Sequence, residues 1–333
     1  MILVTGGTGL LGSHLLLQLT LTGSKVRALY RDDQRVERVR NVFRYYHSDR
    51  YEELFSQIQW IKGDILDLSS LEEAMFEIDD VYHCAGMVSF ATTDFKKVMK
   101  VNREGTANVV NCCLALGVRK LCHVSSTAAL GYIENGVTNE LVSWKNGPEV
   151  SGYSVSKYSA EKEVWRGIEE GLNAVIVNPC VIFGAGSWDE SSLAIFKTVH
   201  KGLKFYTPGS NSFVDARDVA TIMVQLMQND IKSERFLCTG ENMSFKELTS
   251  RIAEKMNKPT PHLSTPRWLA GIGWRVAALL SLVTGKKPLI TKDTVSSAFK
   301  KISYDTTKVR EALSFTFHSA NDTIDNALKG RID

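Results

Sequence analysis

The 333-residue chain contains no C-x-x-C pair and no H-x-x-x-H pair. Its six cysteines, Cys84, Cys112, Cys113, Cys122, Cys180 and Cys238, lie mostly inside apolar runs, and its seven histidines are dispersed. That pattern excludes the common zinc and dithiol signatures and fits reduced core thiols with no metal site. Charge of one sign is also lacking: 40 Lys and Arg face 37 Asp and Glu, a net charge of +3. A balance so close to neutral gives no reason to expect a nucleic-acid partner. A membrane-length apolar run is missing too. The stretch Trp268–Val283 is strongly apolar, but it falls short of the roughly 20 residues that span a bilayer and carries Arg275 near its centre. Flanked by Arg267, Lys286 and Lys287, it reads first as a buried or lid helix and second as a helix touching a membrane surface or a partner. No basic leader with a cleavage site precedes the first strand, so a cytoplasmic location is the expectation.

What is present begins at the first residues. Ile2, Leu3 and Val4 form an apolar run without polar alternation, the pattern of a central parallel strand covered on both faces. Gly6, Gly7, Gly9 and Gly12 follow, and the leucines from Leu15 onward begin a helix. Glycines suit a backbone that must turn sharply and approach a phosphate with no Cβ in the way. The helix N-terminus then offers N–H groups and positive dipole to a pyrophosphate. Because the glycines stand between a strand pattern and a helix pattern, they satisfy the context of a dinucleotide fingerprint.

Strand and helix patterns then alternate. Strands are expected at Lys25–Tyr30, Ile58–Lys62, Asp80–Cys84, Lys120–Ser125 and Asn173–Asn178, with a helix at Val36–Tyr46 and a long one at Phe95–Leu116 carrying Asn102. This is the order of an α/β fold, a Rossmann-type doubly wound parallel sheet. Where the second strand ends, an acidic residue would hold the adenosine ribose; this chain has Tyr30 and Arg31, and a guanidinium there favours NADP over NAD unless Asp32 and Asp33 occupy it. Asp64 is placed to accept from the adenine amino group. His83 ends the fourth strand and reads as a hydrogen-bonded core residue rather than a ligand or base. The small residues Cys84, Ala85 and Gly86 let the backbone graze the cofactor's ribose.

Tyr153 and Lys157, four apart, fall one turn apart on a single helix face. A phenol with an ordinary pKa of about 10 is a poor acid-base catalyst near neutral pH. A neighbouring ammonium and a positive nicotinamide both favour the phenolate. A hydroxyl from the strand end Val124-Ser125-Ser126-Thr127 would hold the substrate oxygen in reach.

With these pieces joined, the sequence resembles the extended short-chain dehydrogenase/reductase superfamily. Within it, the chain is similar to the NAD-dependent epimerase/dehydratase family and its dihydroflavonol reductase-like and 3β-hydroxysteroid dehydrogenase-like branches. The resemblance runs through the opening glycine turn, Gly63-Asp64, His83-Cys84-Ala85, Val101-Asn102, Tyr153 to Lys157, Asn178-Pro179, Phe183-Gly184 and the segment Phe213 to Ala220. It implies an NAD(P)-dependent oxidoreductase in which Ser126 orients the substrate, with Thr127 as a substitute. Tyr153 is then the acid-base residue, and Lys157 activates it and holds the nicotinamide ribose. The implied cofactor contacts are Gly6, Gly9, Leu10, Leu11, Gly12, Tyr30, Arg31, Asp64 and Ile65, then Cys84, Ala85, Gly86, Asn102, Val124, Pro179 and Val181.

Substrate contacts are expected from Met87, Val88, Phe90, Ser126, Thr127, Phe183, Trp188 and Phe205, a mostly apolar set that suits a small molecule with a hydrophobic body. Asn178 stands where many members carry Arg, and Ala185 where Pro is frequent, which weakens a nucleotide-sugar reading. The leading expectation is reduction of a ketone or aldehyde, or oxidation of a secondary alcohol. The rivals are a nucleotide-sugar epimerase or dehydratase and a non-catalytic NADP-sensing binding protein. Residues 1–178 are expected to form the dinucleotide-binding domain and 179–333 mainly a substrate lobe, with segments around 205–240 returning to the sheet. A homodimer is the expected assembly.

Overall fold

A computed structural model describes residues 1–147, 150–189, 191–284 and 291–332. Lys286 and Lys287 of the apolar stretch's flank lie outside these described residues. The first half runs β1 (Ile2–Thr5), α1 (Leu10–Leu21), β2 (Val26–Tyr30), α2 (Asp33–Tyr46), α3 (Tyr51–Ser56), β3 (Ile58–Lys62), α4 (Leu68–Met75) and β4 (Asp80–His83). The helix expected over Phe95–Leu116 is divided: α5 (Phe95–Met99), a π-helical turn at Lys100–Glu104, then α6 (Gly105–Ala115). The wider turn admits an extra residue, and both Val101 and Asn102 are buried within it. Next come β5 (Lys120–Val124), the short β6 (Val137–Thr138), α7 (Gly152–Glu169) and β7 (Ala174–Pro179).

Seven strands form one sheet in the order β11-β7-β5-β4-β1-β2-β3, where β11 is Glu234–Cys238, and every neighbouring pair is parallel. The chain leaves β1 toward β2 and β3 and then returns to β4 on the other side. The carboxyl ends of β1 and β4 therefore flank the crevice where this topology places a ligand. One face is covered by α1, α2 and α9 (Ala216–Gln228) around Leu15, Leu16, Phe43 and Met223. The other is covered by α4, α6 and α7 around Leu71, Val109, Val110 and Val164. With both faces packed, β7 is buried along its whole length, as an uninterrupted apolar strand requires.

The remainder is β8 (Val181–Phe183), α8 (Ala194–His200), β9 (Phe205–Tyr206), β10 (Ser210–Asp215), β12 (Glu241–Ser244), α10 (Phe245–Lys255), β13 (Leu263–Ser264), α11 (Arg267–Thr284), α12 (Lys292–Phe299), β14 (Ser303–Tyr304), α13 (Thr307–Leu313) and α14 (Ala320–Lys329). Within 205–240, β11 joins the large sheet beside β7, and α9 packs on α1. The rest stays outside it: β10 is held between β8 and the antiparallel β12, and β9 pairs with β13. Phe183, Phe196 and Phe213 centre this lobe's own core. The structure corrects one form of the first reading of Trp268–Val283, that of a buried helix. Helix α11 packs against α12 but leaves Trp268, Leu269, Ile272 and Val276 exposed.

Candidate active site

The glycine turn is closed by steric necessity. Gly6 adopts φ +71°, where a Cβ would lie 2.4 Å from the Ala85 nitrogen, and a Cβ at Gly12 would lie 2.2 Å from the Gly6 oxygen. The turn thus presses against the loop after β4 and delivers the first turn of α1 into a cleft of ≈ 1520 Å³. That exceeds the roughly 300–1,000 Å³ of a single small-ligand pocket, so the cleft has room for a dinucleotide and a second molecule. Gly6, Gly9, Leu10, Leu11, Gly12 and Arg31 line one end; Cys84, Gly86, Val124, Lys157, Pro179 and Val181 line the middle. Tyr153, Ser126, Thr127, Met87 and Val88 follow.

At the adenosine end Arg31 is not taken by its two neighbouring aspartates. Asp32 caps α2 by accepting from the Gln34 N–H at 3.0 Å, and Asp33 pairs with Lys62 at 3.3 Å. Arg31 instead reaches Asp64 at 3.3 Å, whose other carboxylate oxygen accepts from the Leu66 N–H at 3.0 Å. Asp64 and Tyr30 do not line the cleft; the Tyr30 ring packs edge-on to Trp60 at 5.9 Å. Ile65 is buried against Gly105, and Ala85 also lies behind the lining. Sequence reasoning missed Arg35 and Arg38, which line the cleft with Arg31 from one face of α2. Their spacing of three residues was the available signal.

In the middle of the cleft, Asn102 is a brace rather than a lining residue. Its Oδ1 accepts from the Met87 N–H at 2.7 Å, while Nδ2 donates to the Met87 carbonyl at 3.0 Å and to Ser156 Oγ at 2.9 Å. This ties the loop after β4 to α7. Lys157 is buried and donates to the Val124 carbonyl at 2.8 Å; desolvation pulls its pKa down to about 8. Burial holds the pKa of the Tyr153 phenol above its ordinary value, against a smaller lowering from the neighbouring Ser126 hydroxyl. Ser126 Oγ also accepts from the Ala128 N–H at 3.1 Å, which fixes its rotamer.

Behind Ser126 lies a buried network announced by one cue alone, an acidic residue four positions after Lys157. Glu161 accepts from Ser125 Oγ at 2.6 Å and from Asn178 Nδ2 at 2.8 Å, and pairs with Arg235 of β11 at 3.0 Å. Asn178 Nδ2 also donates to the Ser126 carbonyl at 3.0 Å. Glu161 thereby positions the strand end that carries the hydroxyl, and its charge favours the ammonium form of Lys157. His83, fully buried, bonds Thr5 Oγ1 at 2.7 Å and Thr106 Oγ1 at 2.9 Å, the core role expected of it.

The outer cleft is mostly apolar: Phe90, Tyr132, Ile133, Trp144, Ile182 and Ile302 line it with Met87 and Val88. Tyr132 and Trp144 belong to a loop without periodicity, which is why no pattern announced them. Phe183 and Trp188, expected to touch substrate, are not in this wall. Phe183 stacks on Phe213 at 5.3 Å, and Trp188 Nε1 donates to the Ala327 carbonyl at 3.1 Å. Both fill the second lobe's core, because large apolar side chains beyond β7 have that lobe to pack as well as the cleft.

The sequence model of the NAD dependent epimerase/dehydratase family matches residues 2–238. Sterol demethylase protein B of Methylococcus capsulatus is 31% identical over 277 residues, covering 81% of this chain and 79% of its own. Anthocyanidin reductase of Arabidopsis thaliana is 27% identical over 279 residues, covering 77% and 80%. The crystal structure of gox2253 superposes with a TM-score of 0.80 at 26% identity, covering 98% of this chain and 96% of that one. With this match over most of its length and the Ser126, Tyr153 and Lys157 geometry in place, the chain belongs to the NAD dependent epimerase/dehydratase family and is an NAD(P)-dependent oxidoreductase of the extended short-chain dehydrogenase/reductase type.

Proposed function

We propose that the protein reduces a ketone or aldehyde on a bulky apolar small molecule, with NADP as its cofactor. The observation that carries this reading is the convergence of Ser126, Tyr153 and Lys157 on one cleft, set between the glycine cradle and the apolar outer wall. A bound reduced nicotinamide dinucleotide supplies the hydride. Ser126 holds the carbonyl oxygen, Tyr153 donates its phenolic proton to that oxygen, and Lys157 stabilises the phenolate left behind. The fit to a dinucleotide rests on Gly6 and Gly12, whose hydrogens occupy space that any Cβ would fill with a clash. Arg31, Arg35 and Arg38 along one end of the cleft support the NADP form, since guanidinium groups bind phosphate well. The apolar wall and the sterol and anthocyanidin names of the relatives support a polycyclic substrate.

The test is NADPH consumption against a panel of steroid-like and flavonoid-like carbonyl compounds. Tyr153→Phe should lower kcat by about 10²–10⁴-fold with NADPH affinity kept. Turnover retained in that variant overturns the role of Tyr153. Isomerised product without consumption of cofactor overturns reduction in favour of epimerisation.

A further inference from the structure

The near-neutral total charge conceals one strongly basic segment. Residues 256–301 hold Lys258, Arg267, Arg275, Lys286, Lys287, Lys292, Lys300 and Lys301 against Asp293 alone. In the middle of that segment α11 shows an uncovered apolar stripe: Trp268 is 68% exposed, Leu269 37%, Ile272 50% and Val276 48%. Trp268, Ile272 and Val276 are spaced by four, so they share one face of the helix. The patch extends beyond α11. Leu263 of β13, three residues before Pro266, is exposed, and so is Phe205, registered against it in β9. Lys204, exposed beside Phe205, accepts at its carbonyl from the Leu263 N–H at 3.1 Å.

We infer that this face of α11 docks the protein on an anionic lipid bilayer. Four large apolar side chains exposed together on one helix are more than a monomer scatters by chance. Arg275 sits on the same stripe, exposed, with its guanidinium folded back over the Trp274 ring at 4.7 Å and donating to the Gly271 carbonyl at 2.8 Å. An apolar protein partner would have to bury that charge, whereas in a bilayer its long stem lets the head reach lipid phosphate while the stripe enters the acyl boundary. A second copy meeting the same face would set two basic segments against each other. An anionic leaflet attracts that charge instead. The membrane is touched rather than crossed: no helix among the described residues is long and apolar enough to span it. Docking also has a direction, because α11 packs on α12, and Ser297 and Lys300 at the end of α12 line the cleft.

The experiment is flotation of the full chain with phosphatidylcholine vesicles containing about one-third phosphatidylglycerol, against phosphatidylcholine alone. The expected result is binding to the anionic vesicles only, weakened by high salt. The exposed double substitution Trp268→Glu with Ile272→Glu should reduce the partition coefficient at least about tenfold, with an unchanged near-ultraviolet dichroism spectrum. If that variant does not fold, the single exposed change Arg275→Glu serves, with a loss of about fivefold expected. Absence of flotation, or flotation undiminished in these variants, overturns the inference. A dimer in sedimentation velocity that dissociates in the variants, without vesicle binding, overturns it in favour of a second copy. All three readouts are independent of cofactor and substrate, so the proposed reduction stands or falls separately.

Discussion

Replacing His123 by leucine should flatten the protein's loss of stability in acid. His83 and His123 lie on adjacent strands with ring centroids 5.1 Å apart, both fully buried. Burial, with the nearby Lys157 charge, lowers His83 from the ordinary 6.5 to about 3 and holds His123 well below 6.5. Neither ring nitrogen of His123 has a hydrogen-bond partner among the described residues. Folded pKa values are depressed, so the unfolded chain binds protons that the folded one refuses. The stability that follows is fully present above the unfolded value of about 6.5 and is lost as pH falls toward the folded one. At about pH 4.5 His83 costs about 2.7 kcal/mol, a large share of a typical domain's stability, and His123 acts in the same sense. His14, also lowered by burial, acts in the same sense and remains in the variant. His123→Leu removes at most one proton from the balance, so the slope of stability against pH between about 6 and 4.5 should become shallower, by up to about 1.4 kcal/mol per pH unit. Urea midpoints across that range measure it directly. Parallel curves for the two proteins would refute the reasoning, since then His123 titrates alike in both states.

Two further predictions concern the site. Arg31→Glu should lower the preference for NADPH over NADH by about 10- to 100-fold, the worth of one charge-assisted phosphate contact; a preference unchanged in kcat/KM removes Arg31 from phosphate recognition. Glu161→Gln withdraws a charge that raises the Lys157 pKa. The alkaline limb of the kcat/KM profile, where Lys157 loses its proton, should therefore move to lower pH. The broken pair with the partly buried Arg235 should also cost about 3 kcal/mol of stability, read from the same urea midpoints. A limb that stays in place shows Glu161 to be structural only.

Much of the fold is legible because its strands are short, apolar and separated by crossover-length pieces, and parallel strands covered on both faces leave that imprint. The proposed catalytic trio is legible for a related reason: Tyr153 and Lys157 are joined by helix geometry and Ser126 by a strand end. Contacts that depend on long-range assembly left no periodic trace. Asp64 turning to Arg31, Glu161 meeting Arg235, and Trp144 reaching the cleft wall each join segments whose separation in sequence carries no spacing rule. Phe183 and Trp188 show the converse error. Apolar size predicted contact with a ligand, but a lobe short of core material took both side chains inward.

The bond between Glu161 and Arg235 has a consequence for the order in which the protein can be made. A growing chain that has just released α7 holds Glu161 with no strand β11 beside it, and the guanidinium that will neutralise it is 74 residues away. Helix α7 therefore emerges with an unpaired carboxylate at a position destined for burial, and it settles only once the chain has been made through β11. The cleft wall closes later still, when Ser303–Tyr304 lies down beside Val137–Thr138. Competence to bind substrate should arrive only after Tyr304 has been made, and the two halves of the chain should fold as partners rather than in succession.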